Sequence, residues 1–334
     1  MSEGEASRPS QSRGLLKNPW LGFLVSAVAI GYLIWSTNWS EVWPILLGIN
    51  VAWAVPYVLL NVAVALVIGE RWRIMVGRER MSRWSGVAAQ SMSMGYNMLL
   101  PLRGGDLIKI ARTRDESGLS FSRILGLAGI EKVGELFIVL LVGVIGLAFA
   151  GDFSDARVDG TMYAVLFTVG VFCIAWVVLR YLHGPLNRVV SGGIDMLPLP
   201  DSLKAGPKRW ILEILATAGE VNIGAVLNLS VLSTFVWLSS FVVIGCMLRL
   251  DLSLAECCLL LFAAVIAFAL PSAPSAVGVV HLSIAAGFSI LGRPADEGVG
   301  FALLMHFAQV VFWVGASQIA QATLYLDAPE DDRT

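Results

Sequence analysis

Glu131, Lys132 and Glu135 stand in a run that is otherwise apolar, Ile124 to Ala150. Ionisable side chains at membrane depth are costly, and they usually pair or face a polar cavity. Glu131 and Glu135 sit at i and i+4, so on a helix they share one face. Lys132 can pair with Glu135 or with another element. One reading is a charged cluster facing a central cavity. The other is that the span starts later and the three residues lie at the membrane interface.

A second set follows a proline. The segment N-M-L-L-P-L-R-G-G-D, Asn97 to Asp106, is broken at its centre by Pro101, Gly104 and Gly105, and Lys109 lies just beyond it. Gly104-Gly105 permits positive φ and close backbone approach. A helix starting there would aim its N–H groups at an anion. Arg103 could then grip a phosphate or carboxylate with two hydrogen bonds. The plainer reading is a basic loop, with Asn97 capping broken backbone.

A third set, L-P-S-A-P-S-A-V-G-V-V-H, spans Leu270 to His281. Ser272, Ser275 and Gly278 flank Pro271 and Pro274. They either line a polar dip or satisfy backbone groups that proline frees. His281 and His306 carry imidazoles that can titrate near neutral pH. Gln309, Gln318 and Gln321 extend the face of His306.

These residues need elements to hold them in place. The chain has 334 residues, 57% hydrophobic and 14% charged. A soluble chain carries about a quarter charged residues. Several apolar runs reach the roughly 20 residues that cross a bilayer. The class is therefore an all-α, polytopic helical membrane protein. Spans are expected at Trp20–Thr37, Trp43–Ile68, Ile124–Ala150, Thr161–Leu182, Asn222–Leu248 and Gly298–Leu326. Trp20, Trp35, Trp39 and Trp43 read as interfacial anchors. Residues 1–19 read as a disordered cytoplasmic tail, 20–326 as one transmembrane domain and 327–334 as an acidic tail. Cys173, Cys246, Cys257 and Cys258 all lie in apolar stretches and read as packing residues.

Charge decides sidedness. Arg8, Arg13 and Lys17 place the N-terminus inside. The stretch Glu70–Arg83, with five Arg against two Glu, belongs inside, and so does Arg103–Arg123. Trp84–Leu102, between them, must therefore enter and return as a re-entrant hairpin. The acidic loop at 151–160 falls outside. Leu252–Leu291 then dips in from the outer face, or else forms two ordinary spans joined by a Pro-rich turn. In the first case the order "span, re-entrant element, span" occurs twice, at about 43–150 and about 222–326, with inverted topology. Paired interrupted segments in the two halves of a transporter point to its binding site.

Several chemistries are missing. The sequence has no G-x-x-x-x-G-K-[ST] phosphate loop, no H-E-x-x-H or Cys/His cluster, and no G-x-S-x-G elbow. No catalytic residue, cofactor or metal is expected, and neither is nucleic-acid binding.

The run N-M-L-L-P-L-R-G-G-D-L-I-K, with G-I-E-K-V-G-E in the next span, resembles the lysylphosphatidylglycerol synthase transmembrane region family of flippase-like proteins. Asn97, Pro101, Arg103, Gly105, Asp106 and Lys109 match the first family motif, with Asp106 where Glu is usual. Glu131, Lys132 and Glu135 fill a Glu-Arg-x-x-Asp pattern. Pro274, Ser275, Ala276, Gly278 and His281 stand in a late P-G-G-x-G-x-x-E signature whose first glycines and Glu are absent. His306 replaces a usual Arg. The resemblance implies the translocating half of proteins that make and move aminoacylated phosphatidylglycerol, without the synthase. Its expected site comprises these residues together with Ser272. Its expected ligand is a membrane lipid headgroup, in a prokaryotic cytoplasmic membrane. The alternatives are a membrane partner of an enzyme that modifies lipid-linked sugars or amino acids, and a regulatory subunit. A homo-oligomer is a further option, through the small-residue stripe at Gly143 and Gly146.

Overall fold

The computed structural model describes residues 19–149, 219–270 and 272–327, with isolated residues between 170 and 217. The N-terminal tail, the acidic loop at 151–160, the span expected at 161–182, Cys173, Pro271 and the C-terminal tail lie outside the described residues. Every described element is helical. The helices are α1 (Pro19–Ser36), α2 (Trp39–Leu47), α3 (Ala54–Val76), α4 (Arg83–Leu99), α5 (Gly104–Ser117), α6 (Phe121–Phe149), α7 (Ile223–Met247), α8 (Leu254–Ala269), α9 (Val279–Ile290) and α10 (Ala295–Asp327).

Four segments are long and apolar enough to cross a membrane: Val51–Val76, Phe121–Phe149, Ile223–Met247 and Ala295–Thr323. The first departs from expectation. The span expected at Trp43–Ile68 is two helices, because Asn50 caps a new start. Its Oδ1 accepts from Ala52 N, and its N–H donates to Met247 O at 2.8 Å. Pro56 falls in the first turn of α3, where its missing N–H breaks no intrahelical hydrogen bond. The helix α3 then runs on through Glu70, Arg71 and Arg73. The first part of the supposed basic loop is thus helical, and Arg71 is buried within it.

Two helical hairpins are broken where the sequence placed the breaks. α4 and α5 flank a 3-10 turn at Pro101–Arg103. α8 and α9 flank residues 270–278, with a 3-10 turn at Pro274–Ala276. The two 3-10 turns touch. The open ends of the hairpins lie at opposite ends of the bundle. At one end, Arg80 Nη1 reaches Ser117 O, and Arg123 pairs with Glu220. At the other, Asn38 N donates to Asp296 Oδ1 at 3.0 Å, and Arg293 binds Glu256 and the Asp251 carbonyl.

The packing follows from these positions. α10 runs along α4, and its first half packs on α9. The main core holds Phe241, Ile244, Leu260, Val280, Phe288 and Phe301. A second cluster, with Trp72, Ile110, Ile124, Leu127 and Val226, fills the space around α5. Gly143 and Gly146 face Phe262 and Leu259 of α8. The small-residue stripe is therefore used within the chain. Cys246, Cys257 and Cys258 are free thiols, and the last two are buried in the core.

Candidate functional site

Charged residues of α3 and α5 converge on α6. Glu131, Lys109 and Arg71 are each about 1% exposed. Lys109 Nζ lies 2.5 Å from Glu131 Oε2, and Arg71 Nη2 lies 2.8 Å from Glu131 Oε1. Gln90 Nε2 donates to the same Oε1 at 2.5 Å. Three donors from three helices thus meet one carboxylate, which is how a buried charge is made tolerable. Glu131 is ten residues inside α6 and buried against α3, α4 and α5.

The cluster grades outward from this centre. Arg71 also binds Glu135, and its Nη1 donates to Ser230 of α7 at 3.1 Å. Lys132 Nζ lies 2.9 Å from Glu135 Oε2; these side chains are 35% and 29% exposed. Trp72 stacks over Lys109, with Nζ 4.2 Å from the ring centroid, and its indole N–H donates to Thr113. That contact suits a desolvated ammonium.

The first hairpin supplies the outer edge. Ser93 Oγ donates to Asp106 Oδ1 at 2.6 Å, and Asn97 Nδ2 reaches the same oxygen at 3.2 Å. Asn97 Oδ1 accepts the Asp106 N–H at 3.3 Å. Asn97 therefore caps the break, as its type suggested, and also clamps the acidic residue. Gly105 allows the two arms to close: a Cβ there would lie 2.1 Å from Ser93 O. Close approach was expected at this glycine; positive φ was not found at either one. Gly104 is right-handed at φ −57°, and Arg103 takes the left-handed conformation at φ 57°. Non-glycine residues held there are strained, and such strain clusters at functional sites. Arg103 is half exposed, 3.4 Å from Asp106 Oδ2. Lys132, Lys109 and Arg103 are the cations acting on Asp106, so the edge and the centre form one network. Arg71, Arg103, Lys109 and Lys132 stand against Asp106, Glu131 and Glu135, which leaves one net positive charge.

The second tip carries the remaining expected residues. Ser272 Oγ turns back to Leu270 O, so it satisfies local backbone. Pro274 opens the 3-10 turn, and Ser275 and Ala276 follow at φ 62° and 52°. Gly278, at φ 84°, lets α1 approach: a Cβ there would meet Ser26 O at 3.0 Å. The imidazoles of His281 and His306 stack with centroids 5.0 Å apart. Ser275 Oγ contacts His306 Nε2 at 2.5 Å and Met98 Sδ of α4 at 3.2 Å. Met98 and Ser275 join the two tips. Pro101 shapes the first tip, and Gln309 is buried beyond His306.

Sequence reasoning missed Arg71, Gln90 and Trp72. Arg71 looked like part of a basic loop. The signal was present in helical periodicity, since Val64, Ile68, Arg71, Trp72 and Met75 share the buried face of α3.

The match to the lysylphosphatidylglycerol synthase TM region family covers residues 20–316, and the chain belongs to that family. Membership places the chain among membrane proteins connected with lipid handling. No curated protein and no solved structure matches the chain.

Proposed function

We propose that this chain is a translocase for an anionic or aminoacylated phospholipid, or for another lipid-linked intermediate. The observation that carries this reading is the meeting of two broken hairpins beside a charge cluster that runs from full burial to the surface. Non-helical backbone at membrane depth is tolerated only inside protein or along a polar cavity. α4, α5, α8 and α9 have 17, 14, 16 and 12 residues. At 1.5 Å per residue their lengths are about 18 to 26 Å. Each falls short of a ~30 Å hydrocarbon core, which supports re-entrant arms that stop at mid-depth. Their open ends, at opposite ends of the bundle, support inverted repeats.

Sidedness follows from charge. Arg78, Arg80, Arg83, Arg112, Arg114 and Arg123 gather near the open end of the first hairpin. The positive-inside rule assigns that end to the cytoplasm, with the N-terminus, in a prokaryotic inner membrane.

In this mechanism Arg103 meets the headgroup phosphate at the tip, and Lys132 attracts it from α6. The net positive charge favours an anion. Asp106 and Glu135, both partly exposed, bind an ammonium when the headgroup carries one. Arg71, Glu131, Lys109 and Gln90 form the buried frame that fixes Lys132 and Glu135 in place. Exposure alternates between the two hairpins, and the acyl chains stay in the bilayer throughout. No bond is made or broken, so the chain works as a carrier and not as a catalyst. An enzyme that builds the lipid is its natural partner.

The test is headgroup transfer in proteoliposomes, with fluorescent phosphatidylglycerol, phosphatidylcholine and lysyl-phosphatidylglycerol compared in parallel. Faster transfer of the anionic or aminoacylated lipid than in empty liposomes is the expected result. Equal rates with and without protein for all three would overturn the reading.

A further inference from the structure

The second tip contains a proton site that the lipid-binding cluster does not need. Ser275 Oγ lies 2.5 Å from His306 Nε2 and 3.2 Å from Met98 Sδ, and its one hydroxyl proton serves one of them at a time. His306 Nδ1 is buried and has no hydrogen-bond partner in either tautomer. His281 Nδ1 accepts the Gly278 N–H at 3.3 Å, so its own proton lies on Nε2. Both rings are 6% exposed. A buried ring nitrogen with no partner is costly, and on the protonated ring it is a donor that only incoming water can satisfy.

The surroundings offer little compensation for the charge. The described part of α1 has no Asp, Glu, Lys or Arg, nor does α7; α9 has only His281. On α4, Arg83 is at the far end from Met98. On α8, Glu256 with Cys257 and Cys258 is at the far end, and so are Asp296 and Glu297 on α10, Glu41 on α2 and Cys246 on α7. Tyr57 of α3 shares the core cluster of Val280 and Met305. The first tip, which touches the second, carries Arg103, and Arg103 pairs with Asp106. Among the described residues, a proton on His306 therefore has no carboxylate beside it.

We propose that protonation of His306 separates the two hairpin tips. An imidazolium stacked on His281 in an apolar site needs water, and water enters where Ser275 meets Met98. Opening that contact solvates Nδ1–H and removes the hydrogen bond that ties α4 to the second tip. The coupling ion is thus a proton bound at the hairpin junction. The separation of the tips depends on their geometry alone; the role of the proton as coupling ion rests on the transport reading.

The test measures the tips directly. Nitroxide labels are placed at Leu99→Cys and Leu270→Cys, which are 48% and 49% exposed, with the four native cysteines changed to Ala. Electron–electron distance measurements are made in phosphatidylglycerol/phosphatidylethanolamine nanodiscs between about pH 8 and about pH 4, on either side of the ordinary imidazole range. A longer distance at acid pH is expected, and its absence in the His281→Phe/His306→Phe variant, which keeps two aromatic rings but no titratable nitrogen. An unchanged distance in the parent protein, or the same lengthening in the variant, would overturn the proposal. The chain has only three histidines, so nitrogen NMR of the unlabelled-cysteine protein follows His306 without relying on a variant. Protonation outside the pH interval of lengthening would also overturn it. Neither readout uses lipid transfer, so failure here is distinct from failure of the transport reading.

Discussion

Arg71 Nη2 lies 2.8 Å from Glu131 Oε1, and both side chains are 1% exposed. The pair bridges α3 and α6, and Lys109 brings α5 to the same carboxylate. Removing one partner of a buried ion pair typically costs about 3–5 kcal/mol, because the other charge is left uncompensated. Arg71→Met is expected to lower the unfolding temperature in detergent substantially. Ser230 would also lose its donor. An unchanged transition would mean that Lys109 and Gln90 alone satisfy Glu131.

Gly104 and Gly105 should respond differently to alanine. At Gly105 a methyl would be driven against Ser93 O and Asn97 N, both of them backbone atoms. Overpacking of this kind costs about 1–3 kcal/mol, and here it would also disturb the Asn97–Asp106 clamp. Gly104 is right-handed, and a methyl there meets the Leu100 side chain at 3.0 Å. Thermal unfolding of the two single variants should show the larger loss for Gly105→Ala.

Ala276 sits at φ 52°, a conformation that costs an L-residue about 1–2 kcal/mol. The family pattern carries glycine at this place, and the backbone has kept the shape that glycine serves. Ala276→Gly is expected to stabilise the fold by up to about 1 kcal/mol, after the extra unfolded-state entropy of glycine is offset. A rise in unfolding temperature checks this.

Arg103 combines strain with exposure. Arg103→Gly should leave the unfolding temperature unchanged or raise it, because φ 57° no longer opposes a side chain. Lipid transfer should be lost in the same protein. Stability and transport measured side by side would separate the backbone from the guanidinium.

Much of this arrangement was legible in the sequence. Pro101 and Pro274 marked the breaks, because proline interrupts a helix from its own chemistry. Asn50 was missed as a cap, because a hydrophobic run from Trp43 to Ile68 hides a turn whose satisfaction depends on Met247, far away in sequence. Arg71 was missed because charge counting assigns arginine to loops, while its partners Glu131 and Glu135 lie 60 and 64 residues on. The positive φ was expected at glycine and found at Arg103, because tertiary contact between the arms of the hairpin fixes Gly105 inside the helix. The pairing of His281 with His306 could not be read from spacing, since it depends on how α9 lies against α10.

In the proposed mechanism Arg103 at the first tip and Lys132 on α6 together move a lipid headgroup. The most direct measurement is transfer of fluorescent phosphatidylglycerol in proteoliposomes holding the parent protein or its Arg103→Ala/Lys132→Ala variant. Both side chains are partly exposed, so the variant should insert and fold. Rapid transfer by the parent protein and loss of it in the variant is the predicted result. Equal transfer by the two proteins would contradict the account.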